Sequence, residues 1–574
     1  MMSYKLSSWD LSELKPKDLQ KDLKKIRSLV ASLESRRDIL KPGLKEKDFL
    51  KFLEDLEKLS TMTSKLSGYY ALRIEADSSD QEASAKSSII STELTKQANK
   101  LLFFSLWFKK LDEKNAKRLI NASGKYHYFL EAMRKTRHYA LKENEEKIIN
   151  IKDNSGVGAL SIIYSSLTSQ FEYEFDKKKM TQNELLVLVR DPDPKKREKT
   201  YRVLMEKYEH YKDTISEIYK NIVNDWREEN VNLRGYKDPI HVRNVVNDVP
   251  SEAVESLLRV CKKNQKLFHK FFEMKRKRLG LRKMRRFDLY APVERDEKKT
   301  GYDEAVKLVL ETFDSFSPEF KKAAQKVLDE NHLHSKLQKN KNTGAFNYAV
   351  TNTLTPYVLV NYTGTSRDIS TIAHELGHAV HSILAAKQTE FTNHACLPLA
   401  ETASIFGEMV LSEKLMERQP DKAKEMVFTK LEEIYASIIR QAGFVAFEIK
   451  AHKMIEEGKT MDELSQIYID DLREQLGPGI DVDDVFKNEW LYVPHIFHTP
   501  FYCYAYAFGN LLTLALYELY KEQGDAFIPK LLGMLSKGGS ESPVDITRAV
   551  GVDICSDKFW QKGFDVIKSM IDSL

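Results

Sequence analysis

Apolar residues recur at three- and four-residue steps along most of this chain, and that period commits it to helices. In residues 18–40, Leu19, Leu23, Ile26, Val30 and Leu33 gather on one helical face. Residues 47–66 and 88–108 repeat the pattern. Breakers are scarce: 23 Gly and 16 Pro in 574 residues, about 7% where average usage is about 12%. That scarcity excludes a many-turned β protein. A hydrophobic share of 42% excludes intrinsic disorder. The expected architecture is mainly α, with strands confined to short alternating or β-branched runs. Phe171–Phe175 is one such run. Tyr357–Tyr362, bounded by Pro356 and Gly364, is another. Asp191-Pro-Asp-Pro194 reads as a turn opening a helix, and Ser251 after Pro250 as a further helix start.

Charge and cysteine usage narrow the setting. Lys and Arg number 90 against 85 Asp and Glu, a net charge of +5. No global field demands a nucleic acid or a membrane surface as partner. No run of 18 apolar residues occurs, and the N-terminus has no apolar signal region. Cys261, Cys396, Cys503 and Cys555 are widely spaced, which fits a reducing compartment. A soluble cytoplasmic protein is expected.

The chemistry concentrates in His374-Glu375-Leu376-Gly377-His378, on a predicted helix with an N-cap expected at Asp368. Residues four apart lie one turn above each other, so both imidazoles reach one ion while Glu375 projects beside it. Imidazole and carboxylate suit zinc, and three protein ligands leave one position open for water. Such an ion acidifies the water, and Glu375 is placed to take its proton as general base. With 14 His and 85 acidic residues in the chain, chance supplies at most about 0.05 such matches. The bland alternative is two histidines on an ordinary helix. Gly377 is a poor helix former, about 1 kcal/mol worse than Ala, which predicts close approach by another element.

A third ligand is required. Glu401 stands among Ala400, Ala403 and Ile405, and Glu408 lies seven residues on, on the same helical face. A carboxylate among apolar neighbours favours a cation. Glu401 is therefore favoured as ligand over His381, His394 and Cys396, with Glu408 as acceptor for a ligand imidazole. His381 supports the site rather than binding the ion.

HELGHAVH followed by ETASIFGE resembles the oligoendopeptidase F and thimet oligopeptidase family of zinc metallopeptidases. Gly344-Ala-Phe346 and the Tyr357–Tyr362 run are similar to family segments too. The resemblance implies a two-lobed, mainly helical zincin-type metallopeptidase with a small β-sheet beside the zinc helix and a deep channel. That channel admits short peptides and excludes folded proteins. It implies one Zn²⁺ per chain held by His374, His378 and Glu401. It also implies an N-terminal helical lobe, residues 1–190, and a catalytic domain, residues 191–574. The strand before the zinc helix would pair with substrate backbone, and Tyr357–Tyr362 is the candidate. The family carries a His followed by tyrosines further on. In PHIFHTPFYCYAYAFGN, His495, Tyr502 and Tyr506 match best in kind, as donors to the oxyanion. If that stretch is helical, Tyr502 and Tyr506 share a face and Tyr504 does not.

The expected function is a zinc endopeptidase acting on short peptides. A zinc metallocarboxypeptidase or dipeptidase of related helical fold is the alternative, and the oligomeric state is left open. One rival signal is Lys275–Arg286, eight basic residues in twelve. It suggests a non-catalytic scaffold for an acidic partner, but a solvated charged face is the better reading.

Overall fold

The sequence period is realised as long helices capped by the side chains that precede them. This computed structural model describes residues 3–293 and 299–574. Asp18 accepts from the Lys21 amide and opens Leu19–Glu34; Asp80 and Asp112 do the same for Gln81–Lys110 and Glu113–Ala122. Asp193, ahead of Pro194, caps Pro194–His210, as the Asp-Pro pair predicts. Among the described residues no helix is long and apolar enough to cross a membrane.

By compactness the chain forms two units. The first comprises Met1–Lys147, Glu297–Lys414 and Tyr520–Val552; the second comprises Ile148–Asp296, Leu415–Leu519 and Asp553–Leu574.

The first unit packs Leu19–Glu34, Glu46–Ala76 and Gln81–Lys110 around one core. Leu23, Ile26, Val30 and Leu33 are buried on the first helix, and Leu19 is partly covered. Phe52 stacks on Phe104 at 4.7 Å, and Phe49 on Phe108 at 5.8 Å. The same unit holds a three-stranded sheet. Tyr357–Leu359 lies in its centre, parallel to Leu333–His334 and antiparallel to Phe346–Tyr348. Val358 faces Leu333 on one side and Asn347 on the other. The Tyr357–Tyr362 run is therefore regular only to Leu359, and both its edges are already paired. It is not available to a substrate backbone. The two outer strands are Leu333–His334 and Phe346–Tyr348, the second in the Gly344-Ala-Phe346 neighbourhood.

The second unit contains the antiparallel hairpin Tyr173–Phe175 and Lys178–Met180, and packs Ser251–Arg278 against Asp557–Asp572. It also absorbs the basic run. Lys275 and Arg286 are fully buried, so the reading of a solvated face fails at both. Lys275 Nζ meets Glu432 Oε1 at 2.5 Å and donates to the Leu289 carbonyl. Arg286 is paired with Glu489, which also accepts from Arg440 at 3.0 Å and from the Tyr468 hydroxyl at 3.0 Å. Arg276, Lys283 and Arg285 pair with Glu273, Asp481 and Asp288. The charges answer carboxylates of this chain rather than an external polyanion. Removing Glu489 leaves both guanidiniums without their carboxylate in a dry interior. Glu489→Ala is expected to destabilise the protein by about 3–5 kcal/mol, read as a lower urea midpoint.

Candidate active site

The helix carrying the HExxH motif runs Ser366–Ala385. Its N-cap is Thr365, not Asp368. Thr365 Oγ1 accepts from the Asp368 amide, and Asp368 Oδ2 accepts from the amides of Thr363 and Thr365, closing a capping box. Asp368 has the right role one turn into the helix because its carboxylate reaches back to the free amides. Ile369, Ile372, Leu376, Ala379 and Val380 bury the helix, and His374 and His378 sit one turn apart with ring centroids 4.7 Å from each other.

Gly377 explains how a second element comes so close. A Cβ built there would lie 2.6 Å from Ser404 Cα and 2.7 Å from the Ala403 carbonyl oxygen. No side chain fits, so the backbones meet. Gly407 makes a similar approach, its built Cβ 3.1 Å from the Phe313 ring and 3.5 Å from the Ala373 carbonyl. The incoming helix, Thr402–Arg418, begins one residue after Glu401. The Glu401 carbonyl accepts the first helical bond, from Ile405, while its side chain turns to the histidines.

Three donor atoms converge. His374 Nε2 and His378 Nε2 are 3.1 Å apart, and Glu401 Oε2 lies 3.5 and 3.4 Å from them. Ligand atoms about 2.05 Å from one ion at tetrahedral angles stand about 3.3 Å from each other. The trio thus has the dimensions of one face of a zinc tetrahedron. Among the described residues no other trio of His, Cys, Asp or Glu donors gathers this tightly. His381, His394 and Cys396 stand outside it.

The surroundings act differently on each donor residue. His374 Nδ1 meets Glu408 Oε1 at 2.5 Å, which leaves Nε2 for an ion. Burial opposes a charge on His374, but the Glu408 bond and nearby carboxylates carry its pKa up to about 9. His378 is driven down to about 3 by burial and then by the His374 charge, with the Ala400 backbone pulling the other way. The Ser404 hydroxyl donates to Glu401 Oε2 at 3.1 Å. Glu375 is buried, and its Oε2 has no partner. Burial pushes its carboxyl up to about 7, against the pull of His374, with Glu401 and Glu408 adding to the rise. A carboxyl poised near neutrality, with a lone pair free, can take a proton and return it.

The second unit assembles the aromatic candidates. His495 lies in Pro494–His498, and its Nε2 is 3.2 Å from the Tyr506 hydroxyl. Tyr502 stacks on His495 at 5.7 Å and meets Tyr506 edge-on at 5.2 Å. Tyr502 is not helical: it sits in a turn, and the helix begins at Tyr504. Even so, Tyr502 and Tyr506 are half-exposed together, while Tyr504 is buried and takes a hydrogen bond from Asn247. His498 turns away to Ser165.

The family model described as "Peptidase family M3" matches residues 187–566. The chain belongs to peptidase family M3. It is an enzyme of that family, a metalloendopeptidase of the oligoendopeptidase F type. A second model, "Oligopeptidase F", matches residues 107–173. The oligoendopeptidase F homolog of Borreliella burgdorferi is 26% identical over 557 residues, spanning 94% of this chain and 92% of that protein. Oligopeptidase PepF of Bacillus subtilis is 24% identical over 99% of this chain and 86% of its own length. Among solved structures, a putative peptidase from Chlamydophila abortus superposes with a TM-score of 0.82 at 25% identity, covering 99% of this chain and 97% of that one. Oligoendopeptidase-F from Enterococcus faecium shares the fold with a TM-score of 0.73 at 20% identity, covering 96% of this chain and 98% of that one. The donor trio lies within the segment that the M3 family model matches.

Proposed function

We propose that this M3 peptidase is a zinc-dependent endopeptidase of short oligopeptides, with one Zn²⁺ per chain held by His374, His378 and Glu401. The observation that carries the reading is the convergence of their three donor atoms to 3.1, 3.4 and 3.5 Å. An ion held by these three residues would supply Lewis acidity toward a bound water and the scissile carbonyl. Every other part falls to the chain. Glu375 accepts the proton of the attacking water and passes it to the leaving amine. The hydroxyls of Tyr502 and Tyr506, with His495 beside them, donate to the developing oxyanion. Glu408 fixes the tautomer of His374. The open edge of Phe346–Tyr348 takes the extended substrate as an added strand, which reads amides without reading sequence. At the level of descent, residues 1–190 form the N-terminal helical lobe and 191–574 the catalytic domain. The wide spacing of Cys261, Cys396, Cys503 and Cys555, with no CxxC pair, favours the cytoplasm.

The test is elemental analysis beside a peptide assay. One mole of zinc per chain and turnover abolished by chelation are expected; a metal-free, active protein overturns the reading. A peptide blocked at both ends and cleaved internally decides for endopeptidase action over a carboxypeptidase or dipeptidase, which need a free terminus. Glu408→Ala is expected to weaken zinc binding about 10- to 100-fold, measured by competition with a chromophoric chelator.

A further inference from the structure

Between His495 and Tyr506 the backbone does something a bulky residue rarely does. Phe501 has φ +59°, in the left-handed region. Among the described residues the other non-glycine positions with positive φ are Asp176, Lys177, Asp248, Asn331 and Asn340, all polar. A phenylalanine there persists only where its surroundings over-determine it.

The surroundings do so from two helices. In Arg440–Glu456, the buried Glu448 side chain accepts the Phe501 amide at Oε1, 2.9 Å away. One turn on, the His452 ring lies 4.7 Å from the Phe501 ring. From Pro239–Val246, Arg243 Nε donates to the Pro500 carbonyl at 3.1 Å, and its guanidinium lies over the Trp226 ring. Just past that helix, Asn247 holds the Tyr504 hydroxyl at 2.8 Å. The chain is thus gripped at 500, 501 and 504, and Tyr502 is what projects between the grips. Glu448 is costly where it stands. It is fully buried, and its Oε2 has no partner. Packing alone would favour Leu or Met at such a position.

We propose that Glu448 is a positioning residue of the peptidase site: by accepting the Phe501 amide it holds the left-handed turn that aims the Tyr502 hydroxyl. This rests on the reading of Tyr502 as an oxyanion donor. Burial pushes the Glu448 carboxyl up to about 8, so near neutral pH it is largely uncharged and Gln is its close mimic, with the same acceptor oxygen.

The experiment measures kcat and KM on an internally quenched peptide for the zinc-loaded wild-type enzyme, Glu448→Ala, Glu448→Gln, Tyr502→Phe and the Glu448→Ala/Tyr502→Phe double variant. Tyr502→Phe is expected to lower kcat about 10²-fold, the scale of one lost oxyanion donor. Glu448→Ala is expected to lower kcat about tenfold or more at nearly unchanged KM, and Glu448→Gln to restore it to within about threefold. In the Tyr502→Phe background, Glu448→Ala should add less than about twofold, since both act through one hydroxyl. If Tyr502→Phe keeps full kcat, the oxyanion reading of Tyr502 falls and this inference with it. If Tyr502→Phe is impaired but Glu448→Ala keeps full kcat, or costs as much in both backgrounds, the inference alone falls. Where Glu448→Ala does not fold, amide exchange at Phe501 in the wild-type enzyme decides. Protection of at least about 10³-fold over an open amide is expected, and exchange at the open rate overturns the proposal.

Discussion

Glu375→Gln is expected to keep the metal and lose nearly all turnover. Gln is isosteric, so the His374–His378–Glu401 triangle keeps its dimensions. It has no basic oxygen for the proton of the attacking water and nothing to return to the leaving amine. General acid–base catalysis contributes about 10²–10⁴-fold, and Glu375 serves at both steps, so the loss should lie at or beyond the upper end. The buried, unpartnered Oε2 and the carboxyl raised to about 7 both describe a group held ready for a proton. The readout pairs hydrolysis of a quenched peptide with zinc content per chain. Normal turnover at full zinc would remove Glu375 from the chemistry.

Glu401→Ala should give the complementary pattern, with zinc and turnover lost together. Glu401 supplies one corner of the triangle and the only negative charge among the three donors, so its removal should weaken binding by more than the about 100-fold that bounds the loss of an outer partner. Chelator competition measures the affinity, and circular dichroism reports that the helices remain. Full zinc occupancy in Glu401→Ala would mean that the ion, if bound, sits elsewhere. The two variants together separate holding the metal from using it.

The convergence of His374, His378 and Glu401 was legible because local geometry does the work: a four-residue step on a helix fixes two imidazoles whatever the rest of the chain does. Gly377 announced the crossing of the second helix, since a helix tolerates that residue only where a neighbour leaves no room for a methyl. Glu408 was legible for the same reason as the histidines, a whole number of turns from Glu401. Other features depended on contacts distant in sequence. Nothing local distinguishes a central strand from an edge strand, so Tyr357–Tyr362 was assigned to the substrate when the partners of Tyr357–Leu359 were Leu333–His334 and Phe346–Tyr348. The run Lys275–Arg286 looked like a solvated face because the carboxylates that bury it, Glu432 and Glu489, lie about 150–200 residues away in sequence. Asp368 and Thr365 divide a capping box between them, and the pattern showed the acid more plainly than the hydroxyl. Glu448 carried no signal. A glutamate on an apolar helix face gives no hint of the strained amide it receives.

The unit that holds His374, His378 and Glu401 also includes Tyr520–Val552. The Ser536 carbonyl accepts from Gln388 at 2.9 Å, the Gly539 amide donates to Thr392 at 2.8 Å, and Gly538 fits where a Cβ would meet the Asn393 carbonyl. These contacts brace the loop between the two ligand-bearing helices. During synthesis, therefore, the histidines emerge from the ribosome well over a hundred residues before the chain that steadies Glu401's approach to them. The nascent enzyme can present two imidazoles early, but the bracing of the loop that leads to Glu401 waits on residues 536–539.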